Sequence, residues 1–354
     1  MNYFDRFVSN TLAGSANQSF FYGDCEKVTT GRVFYKLYKG GKFNYSLLFT
    51  NIIDSTFQDG LHSHRNLVCD EWEMVSLKVG VTKDATPENC ESLTDVTFDG
   101  KKSKSVMPGE FFATDEFEIS AEKGDYLCVE IDFKGKMIPY HYEINIPTFI
   151  KNSDGWVRSA KMPVSSMVGC ERNPKLKVGF LGDSITQGIG TEMGSYDHWN
   201  ARLADMIGAD YSYWNLGIGF ARANDAATDG AWLFKAKQMD AVAVCFGVND
   251  ILHAHSAEQV KEDLKIIVNK LHDAGCRVLV QTVPPFDMNE EEEKTRMEVS
   301  RFILNELKAD AVFDNNPILA DKNRAIYGGH PDAEGCRKWA EALCPVMKEF
   351  LFGK

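Results

Sequence analysis

Three short stretches of this chain place chemically capable side chains directly after, or just before, strand-like and helix-like runs. Gly182-Asp-Ser-Ile-Thr-Gln-Gly188 follows the apolar run Val178-Gly-Phe-Leu181. Gly247-Val-Asn-Asp250 follows Ala241–Phe246, and His330-Pro331 precedes the periodic segment Ala333–Phe350. A serine on a small-residue turn at a strand's carboxyl end is a candidate nucleophile, because the turn exposes the hydroxyl and leaves room for a substrate. A serine hydroxyl attacks poorly near neutral pH unless a base takes its proton. Histidine, with an ordinary pKa of about 6.5, suits that task. Attack on a carbonyl carbon also puts negative charge on the carbonyl oxygen, so hydrogen-bond donors must already point there. Serine, a glycine–asparagine pair and a late histidine at the ends of one sheet can converge on one crevice. Asp183 and Asp250 are expected to shape the turns that carry Ser184 and Asn249.

In order, these blocks resemble those of the SGNH (GDSL-type) hydrolase superfamily, over the last half of the chain from about Lys175. The matching residues are Ser184, Gly217 in Asn215-Leu-Gly-Ile-Gly219, Asn249 and His330. The string Gly217-Ile-Gly-Phe-Ala-Arg222 is similar to the corresponding block of the family 2 carbohydrate esterases, although Phe220 stands where some superfamily members carry glycine. The resemblance implies Ser184 as nucleophile and His330 as general base. It implies an oxyanion hole made by the backbone N–H groups of Ser184 and Gly217 and the side-chain amide of Asn249. One position departs from the pattern. The superfamily usually has an aspartate three residues before the histidine, and here that residue is Tyr327. A phenol is neutral near pH 7 and cannot replace the charge of a carboxylate. The chemistry then runs on a Ser–His dyad or on another acceptor. Asp332 is the nearest acid, but it is better placed to cap the helix opening at Ala333; Asp314 is more remote.

Elements of two kinds must position these residues. After about Lys175 the sequence alternates strand and helix patterns. Ser256-Ala-Glu-Gln259 fits a capping box, and Val260, Leu264, Ile267 and Leu271 then recur at helical spacing. Arg277–Val283 reads as a strand, and Glu291–Leu307 and Ala333–Phe350 read as helices. Such alternation implies a parallel sheet sandwiched by helices. The N-terminal half instead runs in short β-rich pieces with Gly, Asp and Asn turns, among them Arg32–Tyr38, Phe43–Asn51, Met74–Val81 and Gly124–Phe133. This predicts a β-sandwich of jelly-roll type. The expected organisation is a β-sandwich domain over residues 1–160, a linker over 161–174 within a stretch of scattered Gly, Pro and Ser, and an SGNH hydrolase domain over 175–354. A β-sandwich ahead of a hydrolase domain is similar in order to the two-domain carbohydrate esterases of family 2.

Composition excludes several partners. The chain has 354 residues, of which 39 are Lys or Arg and 51 Asp or Glu, for a net charge of −12. A phosphate backbone needs clustered cations, so neither nucleic acid nor an anionic membrane surface is an expected partner. The nine cysteines lack CxxC pairing, which points to a reducing compartment. The N-terminus has no basic region followed by an apolar core, and no later window approaches the length of a membrane span. A cytoplasmic location is therefore expected. His62-Ser-His64 and His253-Ala-His255 have two-ligand spacing but bring no third ligand, so no zinc site is read from them. Trp199, Trp214 and Trp232 are read as core residues, and Glu290–Glu293 as the first turn of a helix, where the dipole favours acids.

The expected protein is a serine esterase that removes small acyl groups, acetyl foremost, from an acylated oligosaccharide, without metal or organic cofactor. A lipid acyl-esterase or thioesterase is the alternative within the fold. A carbohydrate-binding protein with an inactive hydrolase domain is the alternative outside enzymes. The oligomeric state is not legible in the sequence.

Overall fold

The structure, a computed structural model, describes residues 2–55, 65–319, 325–326 and 329–353. They divide into two compact units, one comprising residues 2–54 and 65–173, the other Ser55 and the residues from 174 onward.

The first unit is antiparallel and β-rich. One sheet runs in the order Gly155–Arg158, Thr148–Asn152, Thr29–Lys36, Tyr126–Gly135, Trp72–Thr82, Thr94–Val96. The other runs Phe7–Ser9, Met167–Glu171, Gly41–Thr50, Phe111–Ala113, and Phe117–Ala121 also pairs with Gly41–Thr50. The strand Tyr126–Gly135 shows why. Its residues Leu127, Val129, Ile131 and Phe133 are all buried. Glu130 and Asp132, at the alternate positions, instead take the Arg32 guanidinium and the hydroxyls of Thr30 and Ser76. Alternation of apolar and polar side chains belongs to a strand. Cys128 and Glu130 on the alternate face are buried too, so this central strand is covered on both faces. Each large apolar side chain so buried stabilises the fold by about 1.5–3 kcal/mol.

The expected linker over 161–174 is corrected by this sheet. Met167–Glu171 is a strand bonded on one side to Phe7–Ser9 and on the other to Gly41–Thr50. Met167, Val168 and Cys170 are buried. Gly169 reads as a loop residue in sequence, but it stands where the Tyr3 hydroxyl crosses the strand. A Cβ at Gly169 would lie 2.1 Å from that oxygen, so close approach, not flexibility, requires the glycine.

The second unit alternates strands and helices. In chain order they are β1 (Lys177–Gly182), α1 (Ser184–Gln187), α2 (Trp199–Ile207), β2 (Ser212–Gly217), α3 (Ala223–Ala227), α4 (Ala231–Ala236), β3 (Ala241–Cys245) and α5 (Val248–Leu252). There follow α6 (Ala257–Asp273), β4 (Arg277–Gln281), α7 (Glu290–Asn305), β5 (Ala311–Phe313), α8 (Asn316–Leu319), the short pair β6 (Ala325–Ile326) and β7 (His330–Pro331), and α9 (Ala333–Phe352). The strands of the main sheet stand in the order β2-β1-β3-β4-β5, every pair parallel.

Local chemistry sets these elements. The capping box at Ser256 forms in both directions, with Ser256 N–H donating to Gln259 Oε1 (2.8 Å) and Gln259 N–H to Ser256 Oγ (3.3 Å). Val260, Leu264, Ile267 and Leu271 then bury one stripe of α6 completely. Asn289 caps α7, placing Glu290–Glu293 in its first turn. Trp199, Trp214 and Trp232 are buried, and Trp199 stacks on Trp339 at 4.9 Å. The cysteines among the described residues are free thiols, buried apart from Cys25. No helix among the described residues is long and apolar enough to cross a membrane.

Candidate active site

In an open parallel sheet of order 2-1-3-4-5, the chain leaves β1 to one side and returns to the other. Loops therefore part between β1 and β3, and a crevice opens outside their carboxyl ends. Gly182, the last residue of β1, is in register with Gly217 at the end of β2 and with Cys245 at the end of β3. Ser184 and Asn249, two and four residues further on, therefore project from the same edge of the sheet.

Ser184 opens α1. Asp183 is the N-cap, its Oδ1 accepting the Ile185 N–H at 2.9 Å, so the expected turn-shaping role is what the structure shows. Gly182 must be glycine because a Cβ there would lie 2.1 Å from Thr186 Oγ1. The short helix closes at Gly188, which takes φ 109°. Asp183 is buried, and burial foremost, with the Asp250 charge contributing, pushes its carboxyl up to about 7.

His330 lies on β7, and its Nε2 stands 2.7 Å from Ser184 Oγ. Both residues are buried to above nine-tenths, with His330 6% and Ser184 8% exposed. The Phe286 ring meets the imidazole edge to face at 5.2 Å. Asp332 caps α9 as expected, its Oδ1 accepting the Gly335 N–H at 2.7 Å. Asp314 Oδ1 accepts from the Thr282 hydroxyl and from Asn316. Tyr327, at the superfamily's usual aspartate position, lies outside the described residues, as do His62 and His64.

Of the three expected oxyanion donors, Ser184 and Asn249 each keep a hydrogen outside the bonds described here. The Ser184 N–H is the first amide of α1, and first-turn amides have no acceptor within their own helix. Asn249 sits in α5, is buried, and uses one amide hydrogen to hold the Ala221 carbonyl at 3.0 Å. An Asn amide has a second hydrogen to offer. The expectation for Gly217 is corrected. Its single N–H is donated to Asn215 Oδ1 at 2.9 Å, and a hydrogen already bonded within the protein is not presented to a substrate. Gly217 is glycine for another reason: a Cβ there would lie 2.2 Å from the Gln187 backbone nitrogen of α1. The turn that follows is tied to α1 by the Gly219 N–H, which donates to Gln187 Oε1 at 2.7 Å. Phe220, next in line, holds φ 59°, a left-handed conformation that glycine adopts without cost and a phenylalanine does not.

Sequence reasoning gave no defined partner to Asp250. Its carboxylate is fully buried and accepts the backbone N–H groups of Ala223 (2.9 Å) and Asn224 (3.3 Å). The signal was present in Gly247-Val-Asn-Asp250, but only the fold brings α3 to it. His255 Nδ1 lies 3.5 Å from Asp250 Oδ1, and that carboxylate holds the imidazole pKa above its ordinary value. His253 Nδ1 donates to the Asn249 carbonyl at 2.6 Å. Asp250, His255 and Asp263 bring donor atoms within 4.8 Å of one another, a spacing a cation could use. The carboxylates are already bonded, however, Asp250 to the two amides and Asp263 to the Asn224 side chain. Arg222 is paired with Asp225 at 3.0 Å.

Residues 180–338 match the model of the GDSL-like Lipase/Acylhydrolase family. Among solved structures, a family two carbohydrate esterase from Clostridium thermocellum in complex with cellohexaose is 12% identical and aligns over 98% of this chain and 99% of its own, with a TM-score of 0.43. A putative lipolytic protein of the G-D-S-L family from Desulfitobacterium hafniense is 20% identical over 48% of this chain and 98% of its own (TM-score 0.42). The psychrotrophic esterase EstA from Pseudoalteromonas sp. is 17% identical over 49% and 98% (TM-score 0.42). A comparison with curated proteins gave no match. The second unit is thus similar to the GDSL-like lipase/acylhydrolase family over residues 180–338, and its parallel sheet and helices have the SGNH hydrolase fold.

Proposed function

We propose that the protein is a serine esterase that removes small acyl groups, acetyl foremost, from a carbohydrate by way of an acyl-enzyme. The observation that carries this reading is the 2.7 Å contact between Ser184 Oγ and His330 Nε2 at the carboxyl edge of the sheet. At that distance Nε2 accepts the hydroxyl proton as Oγ attacks the ester carbonyl, so the neutral ring carries its own hydrogen on Nδ1. The negative charge that develops on the carbonyl oxygen is met by the Ser184 N–H and the second amide hydrogen of Asn249. The imidazolium then returns its proton to the leaving alcohol. Water, deprotonated by the same nitrogen, releases the acid. Asp332 caps α9 and Asp314 holds Thr282 and Asn316, so the reading assigns proton transfer to Ser184 and His330 and gives neither acid a catalytic part.

The carbohydrate and acetyl parts of the reading rest on the resemblance of Gly217–Arg222 to the family 2 carbohydrate esterase block, and on the β-rich unit preceding the hydrolase unit. Hydrolysis of 4-nitrophenyl acetate, butyrate and octanoate, together with acetylated oligosaccharides, tests it. Preference for acetate with release of acetate from sugar is the expected result. Preference for octanoate assigns the protein to lipid or thioester hydrolysis. Silence on every ester from folded protein that binds sugar overturns the enzyme reading.

A further inference from the structure

The oxyanion-stabilising amide of Asn249 sits on α5, a helix of a single turn, too short to hold a direction by itself. Its bonds to neighbouring backbone must do so. Asn249 Nδ2 holds Ala221 O, while the Asp250 carboxylate holds the N–H groups of Ala223 and Asn224, the first two amides of α3. Two consecutive side chains thus grip the stretch from 221 to 224, immediately after the turn at Phe220. Just before that stretch, the Gly219 N–H donates to Gln187 Oε1 of α1. The Asn249–Ala221 bond alone leaves the amide a hinge. Asp250 supplies the second and third points that remove it, using a carboxylate that is fully buried and so has no water to turn to.

Resting on the esterase reading above, we propose that Asp250 is a positioning residue of the reaction: by binding the first amides of α3 it fixes the direction in which Asn249 offers its amide to the oxyanion. It makes no contact with the reacting atoms and acts through Asn249. Asn in its place keeps the size but turns one acceptor into a donor facing an N–H. A misplacement of about 1 Å at a reacting centre costs on the order of 100-fold in rate.

The test is a double-mutant cycle on 4-nitrophenyl acetate with Asn249→Ala, Asp250→Asn and the pair, each assayed well below its melting temperature. Asp250→Asn is expected to lower kcat by about 10- to 100-fold with KM held within about threefold, because only transition-state binding is lost. In the Asn249→Ala background the same change is expected to cost less than about threefold, since Asp250 then has nothing left to position. A residue that merely stabilises the fold would lower the melting temperature and leave kcat of the folded enzyme alone. Should Asp250→Asn fail to fold, Ala223→Pro carries the test. It removes one N–H from Asp250 at the first helical position, where proline fits, after Arg222 at φ −112° and ψ 158°; a kcat loss that disappears with Asn249→Ala is again expected. Full kcat in Asp250→Asn, or losses that multiply in the double variant, overturn the inference while turnover still depends on Ser184. No Ser184-dependent turnover in the wild-type protein overturns the esterase reading and the inference with it.

Discussion

Replacing Asp183 by asparagine is expected to make the protein more stable at pH 8 and to leave it nearly unchanged at pH 4. Asp183 is 2% exposed, and burial raises its carboxyl pKa from 3.8 to about 7 against the opposing backbone donors of the α1 turn. Below the unfolded value both states carry the proton and nothing is lost. As pH rises the unfolded chain releases that proton first, so stability falls until the folded carboxyl has also ionised near pH 7. At about 1.4 kcal/mol per pH unit, a rise of this size amounts to roughly 4 kcal/mol lost by pH 8. Asparagine keeps an oxygen for the Ile185 N–H and has no proton to lose, so the cap survives and the pH dependence goes. For a unit of this size each 1 kcal/mol moves Tm by about 2–4 °C. The assay is thermal unfolding of both proteins at pH 4, 6 and 8. The wild-type Tm should fall below the variant's by about 8–16 °C at pH 8, and the gap should close by pH 4. A constant gap across that range would refute the argument, because it would mean that Asp183 ionises in the folded protein as readily as in the unfolded chain.

Ser184→Ala and His330→Ala should each lower ester turnover by roughly 10,000-fold or more, and the double variant should be hardly worse, because groups acting as one unit are non-additive; a Ser184→Ala protein with a tenth of wild-type kcat would refute the dyad. Asp332→Asn should keep the α9 cap and change kcat by less than about tenfold, whereas loss of a triad aspartate costs about 10,000-fold; a collapse of kcat at unchanged Tm would identify Asp332 as a third catalytic member. Gly217→Ala should lower stability by about 1–3 kcal/mol, since the new Cβ meets the α1 backbone at 2.2 Å, and should reduce kcat as α1 shifts; unchanged Tm and kcat would show that this close approach imposes no constraint.

The sequence by itself determined what depends on neighbours along the chain. The Ser256 capping box, the buried stripe of α6, the Asp332 cap and the alternation that makes a parallel sheet all follow from local spacing, and each is found where the spacing predicts it. Order along the chain also singled out Ser184 and His330, since chemistry restricts which residue types can attack a carbonyl and take a proton. Tertiary structure decided how donors and acceptors are shared out. Whether the Gly217 N–H faces a substrate or Asn215 Oδ1 depends on the conformation at the end of β2, which glycine leaves open. Asp250 reaches Ala223 and Asn224 across a separation of 27 and 26 residues, brought there by the pairing of β2 and β3 on either side of β1. Met167–Glu171 reads as a linker until the strands on either side are in place, because Gly169 signals a loop in one dimension and a crossing side chain in three. A hydrogen has one best acceptor, and which acceptor lies nearest is a property of the packed chain, not of the residue that carries it.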